Sequence, residues 1–199
     1  MAARSGPGRL EARLERERRH AATGDVEIVL AAAGRYLEQR ARSVEEVRRH
    51  LREARYPEAL IEAAIDRIVR AGMLDDRAFA SAWVESRDRA RPRGEQALRR
   101  ELSLKGLDRD LIEDVLAERA AGPAAGETDA PGNEAAPDLR AALRLLAKRR
   151  STLDRIADPR LRRQRAYALL ARNGFDPDVC RQASLGLAAG PGGREPQDG

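Results

Sequence analysis

Apolar residues recur at helical spacing along this chain, and no stretch alternates between apolar and polar positions as a half-buried strand would. The pattern predicts helices separated by turns. One sequence pattern occurs three times: a leucine, a turn residue four positions later, and a second helix that begins with an apolar pair. The repeated pattern begins at Leu51, Leu102 and Leu170.

The spacing of these leucines indicates a repeat. The two intervals are 51 and 68 residues, and they differ by 17, which is the length of the Ala/Gly/Pro-rich insert 121–137. A period near fifty residues is typical of tandem supersecondary units that cannot each bury their apolar face alone. We therefore predict an all-α fold of three tandem three-helix repeats.

Composition shifts divide the chain further. The predicted segments are an arm 1–24, repeat one 25–73, repeat two 74–120, a linker 121–137, repeat three 138–188 and a tail 189–199. The arm is basic and polar and is expected to be flexible and disordered, or to form a transient helix from Leu10 to His20 held by charge pairs one turn apart. The Gly/Pro-rich tail is also expected to be disordered.

Capping residues support the helix boundaries. Asp25 is an expected N-cap, and Ser43 followed by Glu46 forms a capping-box pattern. Gly72 is expected to end the third helix of repeat one. Further N-caps are predicted at Asp75, Asp76 and Asp108.

Composition excludes several classes of protein. Charged residues make up 36% of the chain and aromatic residues 3%, which fits small helical units with thin cores and a large charged surface. No run of 18 apolar residues could span a membrane, and no signal peptide is evident, so we expect a cytoplasmic protein. The single cysteine, Cys180, lies at an apolar repeat position and is expected to be a small core residue.

We find no catalytic, cofactor-binding or metal-ligating set. His20 and His50 lack a nucleophile or metal partner in the sequence and are expected to be solvated surface residues. Trp83 could be a stacking platform, but its spacing from Phe79 favours core packing. The chain is therefore not expected to be an enzyme.

Binding features are better represented, because the net charge of +5 is unevenly placed. Residues 138–181 carry 12 basic and 5 acidic side chains, and residues 1–24 carry 6 and 3, whereas repeat two has no positive surplus. Such clusters are expected where a protein meets a nucleic acid or an acidic partner.

Two basic strips follow the connections between first and second helices. The candidate partner-binding residues are Arg87, Arg89, Arg91, Arg93, Arg99, Arg100 and Lys105 in repeat two, and Lys148, Arg149, Arg150, Arg160, Arg162, Arg163 and Arg165 in repeat three. They could contact phosphates, or they could be ordinary solvated arginines paired with acidic neighbours such as Asp88 and Glu101.

The middle of the chain resembles a known family. The stretch 72–80 reads Gly-Met-Leu-Asp-Asp-Arg-Ala-Phe-Ala, and it is followed by Trp-Val-Glu-Ser-Arg at 83–87 and by Arg-Glu-Leu-x2-Lys-Gly-Leu at 100–107. These pieces resemble the central signature of the RecX family, which regulates the RecA recombinase. The resemblance extends over about residues 26–186. Glu95 and Gln96 after Gly94 depart from the family pattern, as does the insert 121–137.

The resemblance implies an elongated, curved array that binds the RecA nucleoprotein filament in its helical groove. It implies inhibition of filament extension, ATP hydrolysis, strand exchange and coprotease activity, and hence an influence on recombination, DNA repair and the SOS response. The expected partner is the RecA filament, with single- or double-stranded DNA as a further candidate. We expect a monomer without cofactors. The alternative is a helical protein that binds the DNA backbone independently of RecA.

Overall fold

The computed structural model describes residues 7–121 and 136–186, and within these ranges every regular element is a helix. The helices are α1 (Pro7–Ala21), α2 (Val26–Leu37), α3 (Val44–Glu53), α4 (Glu58–Arg70), α5 (Asp76–Ala90), α6 (Glu95–Leu104), α7 (Arg109–Ala121), α8 (Pro137–Lys148), α9 (Arg150–Leu153), α10 (Pro159–Arg172) and α11 (Pro177–Leu185). After α1, the helices follow the predicted order of three helices in each repeat, and the short helix α9 is an addition in the last repeat.

The described chain divides into two compact units. The first comprises residues 7–79 together with the short segment 105–107, and the second comprises 80–104, 108–121 and 136–186. Segment 105–107 belongs with the first unit because Lys105 bonds to the start of α3: its carbonyl accepts from Ser43 and its ammonium group donates to Glu46.

The core of the first unit is aliphatic. Leu51, Val47 and Ile61 are fully buried and pack with Val29 and Ile65 from the neighbouring helices. These residues lie on the apolar faces that the sequence periodicity predicts for α2, α3 and α4. Their burial is the main favourable contribution to the stability of this unit.

The second unit contains a cluster around α8, α10 and α11. Leu170, Ala166 and Cys180 are fully buried there, and Phe175 and Leu146 are nearly so. Along α6 and α7 the buried residues include Leu98, Leu102, Ile112, Val115 and Leu116. The predicted core leucines Leu51, Leu102 and Leu170 thus occupy equivalent buried positions.

The predicted caps are confirmed with one exception. The Asp25 carboxylate accepts from the Glu27 N–H, and Ser43 and Glu46 complete the capping box of α3. Asp75 accepts from the backbone of Arg77 and Ala78, so it caps α5. The prediction for Asp76 is wrong: its Oδ1 accepts from the Val44 N–H at 2.8 Å. Asp76 therefore caps α3, although it lies in the first turn of α5.

The second helix of each repeat ends in the same left-handed turn. Arg55, Gly106 and Gly174 have φ values of 67°, 80° and 80°. The Tyr56 N–H donates back to the Leu51 carbonyl, and the Phe175 N–H donates to the Leu170 carbonyl. These six-residue closures are Schellman motifs. They explain why the repeated sequence pattern has a leucine four residues before each turn residue.

The carbonyl just before each left-handed residue accepts a hydrogen bond from another part of its unit. In the first unit the Lys105 carbonyl accepts from Ser43 Oγ at 2.6 Å. In the second unit the Asn173 carbonyl accepts from the Gly94 N–H at 3.1 Å. Ser43 and Gly94 both immediately precede a second helix, so the two contacts are equivalent in the repeat.

A carboxylate completes both contacts. Asp76 caps the first residue of α3, and in the second unit Asp138 Oδ2 accepts from the Glu95 N–H, the first residue of α6, at 3.0 Å. An aspartate near the start of a first helix therefore satisfies the exposed N-terminal donor of the preceding second helix. The repeats share this linkage as well as their internal helices.

The N-terminal arm differs from expectation. Residues Pro7–Ala21 form α1, so the prediction of a disordered arm is wrong there, and the alternative helix Leu10 to His20 lies inside α1. Arg13 pairs with Glu17 one turn later at 2.8 Å. The His20 ring stacks on Tyr56 with centroids 4.2 Å apart, and this tertiary contact could not be foreseen from local sequence. The predicted tail 189–199 lies outside the described residues, as does most of the predicted linker.

Candidate partner-binding surface

Many of the predicted binding residues are engaged within the protein. Nine of them have an internal partner: Arg87 pairs with Glu101, Arg89 with Glu85, Arg93 with Asn173, Arg99 with Glu95 and Glu113, Arg100 with the Gln96 carbonyl, Lys105 with Glu46, Lys148 with two carbonyls, Arg150 with Asp154 and Arg162 with the Ile156 carbonyl. A cation already matched to an internal carboxylate contributes less to attracting an acidic partner. The ion-paired members are thus weaker candidates than their charge suggests.

The structure brings the two basic strips together at one place in the second unit. Lys148 Nζ donates to the Arg89 carbonyl at 3.1 Å and to the Ala90 carbonyl at 2.7 Å. This contact joins the end of α8 to the end of α5. Arg91 and Arg149 flank it, and both side chains are exposed. We call Arg89, Arg91, Lys148 and Arg149 the basic patch.

Charges in the basic patch are largely uncompensated. The nearest carboxylate to Arg89 is Glu85 at 3.9 Å, and both side chains are at least 71% exposed. Arg91 and Arg149 form no ion pair within the described residues. Exposed cations without a carboxylate partner suit contact with phosphates or an acidic surface.

The remaining candidates lie mainly on α10. Arg160 and Arg165 are exposed and Arg163 is partly buried, while Arg100 bonds only to the Gln96 carbonyl of its own helix. Their role in binding a partner stays a prediction. Arg162 is the least suited to charge reversal, since its guanidinium grips the Ile156 carbonyl through two hydrogen bonds.

Trp83 is not the core residue that its spacing predicts. Phe79 and Val84 are buried, but Trp83 is half-buried, and its indole N–H donates to Glu101 at 2.9 Å. The Arg87 guanidinium lies 4.3 Å from the centre of its ring. Trp83 therefore combines a cation–π contact with a hydrogen bond at the edge of the core.

One buried ion network was missed by sequence reasoning. Arg119 is 9% exposed, bonds Asp88 through two nitrogens at 2.9 Å each, and bonds Asp138 at 2.6 Å. Burial by itself would lower the pKa of Arg119, but these hydrogen bonds outweigh it and raise the pKa. Since Asp138 also caps α6, this network ties α5, α6, α7 and α8 together. Nothing in the sequence marks Arg119 among the chain's many arginines.

A second network lies in the first unit around Glu46, which is 5% exposed. Its carboxylate accepts from Lys105 at 2.8 Å and from Arg40 at 2.9 Å. Burial alone would raise the pKa of Glu46, but the two cations overcome that effect and lower it to about 2. The Lys105 of the family-like stretch is therefore a structural partner of the capping box.

We expect Glu46→Gln to destabilise the first unit in a pH-dependent way. The pKa of Glu46 falls from 4.5 to about 2 on folding, so its contribution is complete above pH 4.5 and lost as the pH falls toward 2. The contribution is about 2 kcal/mol after allowance for the exposure of Arg40. Urea unfolding of both proteins at neutral and acid pH measures it. An equal gap between the two proteins at both pH values would contradict this assignment.

The prediction that the histidines are solvated surface residues is wrong. His50 is half-buried and stacks on Tyr36 with centroids 3.9 Å apart, and burial lowers the pKa of His50. His20 stacks on Tyr56, and its Nδ1 lies 2.9 Å from the Ala54 carbonyl. Because that carbonyl can only accept, Nδ1 carries the proton. The His50 contact joins α3 to α2 and the His20 contact joins α1 to the turn after α3, so periodicity within one helix could not reveal them.

Cys180 is fully buried, as predicted for a core residue, and burial raises the pKa of its thiol. Across residues 7–121 and 136–186 the structure holds no group of three or more His, Cys, Asp or Glu side chains that could bind a metal ion. Among the described helices, none has the length and apolar character needed to cross a bilayer.

Three family descriptions match the chain in order. They are "RecX, first three-helix domain" over residues 30–67, "RecX, second three-helix domain" over 75–116 and "RecX, third three-helix domain" over 137–183. Together with the helices above, these matches confirm the prediction of an all-α fold with three three-helix domains in tandem.

Relatives that align with about three quarters of the chain carry the same family name. "Regulatory protein RecX" of Mycobacterium avium (strain 104) is 35% identical over 156 residues, which is 78% of this chain and 82% of that protein. The protein of the same name from Chlorobium phaeobacteroides (strain BS1) is 30% identical over 148 residues, 74% of this chain and 85% of that one. The crystal structure of RecX from Lactobacillus salivarius is similar in fold, with a TM-score of 0.65 at 20% identity, covering 81% of this chain and 96% of that one.

Proposed function

The chain belongs to the RecX family, and on that basis we propose that it regulates the RecA recombinase without catalysing a reaction of its own. Its relatives are named regulatory proteins, so the chain is a regulator and not an enzyme, as the sequence predicts. In this proposal it acts in the cytoplasm, binds the RecA nucleoprotein filament in its helical groove, and modulates recombination, DNA repair and the SOS response.

Inhibition in this proposal needs no reactive group. A helical filament repeats its groove at every protomer, and a chain of tandem repeats can contact neighbouring protomers at once. A binder that prefers one state of the filament shifts the equilibrium by its difference in affinity for the two states. ATP hydrolysis, strand exchange and coprotease activity would then fall together with filament extension, since these three activities require the extended filament.

The observation that supports a surface for this contact is the basic patch. Its exposed arginines come from two repeats and lack strong internal partners. A filament presents DNA phosphates and acidic side chains, and flexible cations bind both. The same chemistry favours direct binding to DNA, which is the alternative function.

An ATPase assay separates the two functions. The purified chain is added at substoichiometric ratios to cognate RecA on single-stranded DNA, with excess competitor DNA added after the filament has formed. Inhibition that persists supports contact with the filament. Inhibition that disappears with the competitor supports simple DNA binding instead.

Charge reversal tests the basic patch. We expect Arg91→Glu/Arg149→Glu to raise the concentration needed for half-inhibition by about tenfold, because two cations that face the partner become repulsive. Both residues lie outside helix interiors, so helicity measured by circular dichroism should be retained. The assay is the RecA ATPase titration described above.

The matched control is Arg49→Glu/Arg70→Glu in the first unit. Those two arginines are exposed, lack an ion pair in the described part of the chain, and give the same change in net charge. The control should inhibit like the parent. Equal loss in the two variants would show a general charge effect, and no loss in either would remove the basic patch from the proposal.

A further inference from the structure

A cavity of about 310 Å³ opens in the first unit where α1, α2 and α3 meet. Its polar lining consists chiefly of two arginines, two histidines and two tyrosines: Arg16, His20, Arg35, Tyr36, His50 and Tyr56. Sequence reasoning did not connect these residues, and the proposed function does not use them.

The charged side chains that line this cavity are all basic. No carboxylate is among its lining residues, although acidic side chains are abundant elsewhere in the first unit. Glu17, which lies one turn before His20 on α1, is held by Arg13 at 2.8 Å. Neither Arg16 nor Arg35 forms an ion pair or a side-chain hydrogen bond within the described residues.

Several other arginines of the same unit are matched by carboxylates. Arg48 is matched by Glu45 and Glu62 at 2.7 Å each, and Arg67 is matched by Glu27 at 2.7 Å. Within the described residues no carboxylate pairs with Arg16 or Arg35, which leaves the two guanidinium groups able to bind an anion.

The aromatic rings form firm walls rather than stacking platforms. Tyr36 has the His50 ring on one face, with centroids 3.9 Å apart, and the Arg42 guanidinium 4.0 Å from the ring centre. These two groups occupy both faces of Tyr36, so a nucleobase cannot stack there. A ligand beside Tyr36 must therefore be recognised through charge and hydrogen bonds.

We propose that this cavity binds a phosphate group, held by Arg16 and Arg35 with the histidine and tyrosine rings as its walls. Guanidinium groups match phosphate oxygens in geometry and charge. The phosphate could belong to the backbone of a nucleic acid or to a free phosphomonoester such as a mononucleotide. This site is independent of the basic patch, which lies in the other unit.

Binding would also fasten α1. Arg16 and His20 come from α1, whereas Arg35, Tyr36 and His50 come from α2 and α3. A phosphate bridging these elements adds to the bond between His20 Nδ1 and the Ala54 carbonyl. The Ala54 carbonyl is the repeat equivalent of the Lys105 and Asn173 carbonyls. His20 on α1 therefore donates to the Ala54 carbonyl of repeat one, as Ser43 donates to the Lys105 carbonyl of repeat two and Gly94 to the Asn173 carbonyl of repeat three.

The two histidines offer a direct test, since the chain has no others. The imidazole signals of the full chain are followed by NMR during separate titrations with inorganic phosphate, a deoxynucleoside monophosphate and a short single-stranded oligonucleotide. We expect phosphate to shift both imidazole signals. Arg35→Gln should weaken phosphate binding by at least about tenfold, whereas Arg70→Gln, which changes an exposed arginine of α4 that does not line the cavity, should bind like the parent.

The three titrations distinguish the source of the phosphate. An oligonucleotide that displaces inorganic phosphate and binds more tightly identifies the nucleic-acid backbone as the ligand. Tight binding of the monophosphate without competition from the oligonucleotide identifies a free phosphomonoester. The proposal is overturned if none of the three probes shifts the histidine signals, or if Arg35→Gln and Arg16→Gln both bind phosphate as the folded parent does.

Discussion

Replacing Arg119 with methionine is expected to destabilise the second unit by about 3–5 kcal/mol. Methionine can fill much of the space of the arginine stem, but it leaves Asp138 without its cation and Asp88 with only the more exposed Arg144, 3.8 Å away. Asp138 is only 16% exposed and also caps α6, so its displacement would free the Glu95 N–H. The measurement is the free energy of unfolding from urea titrations of the full chain, followed by circular dichroism.

Arg99→Met is the matched control for this prediction. Arg99 also bridges two carboxylates, Glu95 and Glu113, at 2.8 Å, but its side chain is 39% exposed. Water screens that pair, and we expect a loss of less than about 1 kcal/mol. Similar losses for the two variants would show that burial is not what makes the Arg119 network important.

The second large effect is expected from Gly94→Ala, at about 3 kcal/mol. A Cβ at this position would lie 2.2 Å from the Gly174 carbonyl oxygen and 2.4 Å from the Phe175 Cα. Both obstacles are backbone atoms, so no side chain can turn aside. The two segments must separate, which stretches the hydrogen bond from the Gly94 N–H to the Asn173 carbonyl.

Gly34→Ala provides the opposite control. Gly34 lies inside α2, and an added Cβ would meet nothing within 4 Å. Alanine there removes the entropic cost of a helical glycine and should stabilise the protein by about 0.5–1 kcal/mol. The pair of urea titrations therefore has opposite expected signs, and a stabilised Gly94→Ala variant would rule out the close backbone contact.

Local features were predicted well, because their causes lie within a few residues. The capping box of Ser43 and Glu46 and the N-cap Asp25 are read from adjacent positions. The helical periodicity placed Leu51 and Leu102 in the core for the same reason. Asp76 shows the limit: its sequence position suits a cap of α5, yet its carboxylate bonds to α3, because the capping geometry depends on which helix end lies nearby.

The internal pairing of the candidate binding residues could not be predicted from the sequence. The fourteen basic residues were selected by charge and connection, and these properties do not reveal whether a carboxylate distant in sequence lies within reach. Arg87 pairs with Glu101 and Lys105 pairs with Glu46, whereas Arg91 and Arg149 have no carboxylate partner in the described part of the chain. The cavity at α1 was missed altogether, since its rings come from three helices and the turn after α3.

The sequence by itself determined the helical fold class, the three-repeat order, the caps of most helices and the resemblance to the RecX family. Those features depend on hydrophobic period and on hydrogen bonds between near neighbours in the chain. Only the tertiary structure decided which cations pair with a carboxylate, which do not, and how Asp138 and His20 join one helix to other elements. Such pairings depend on distances between helices, and these distances are fixed by core packing rather than by any local pattern.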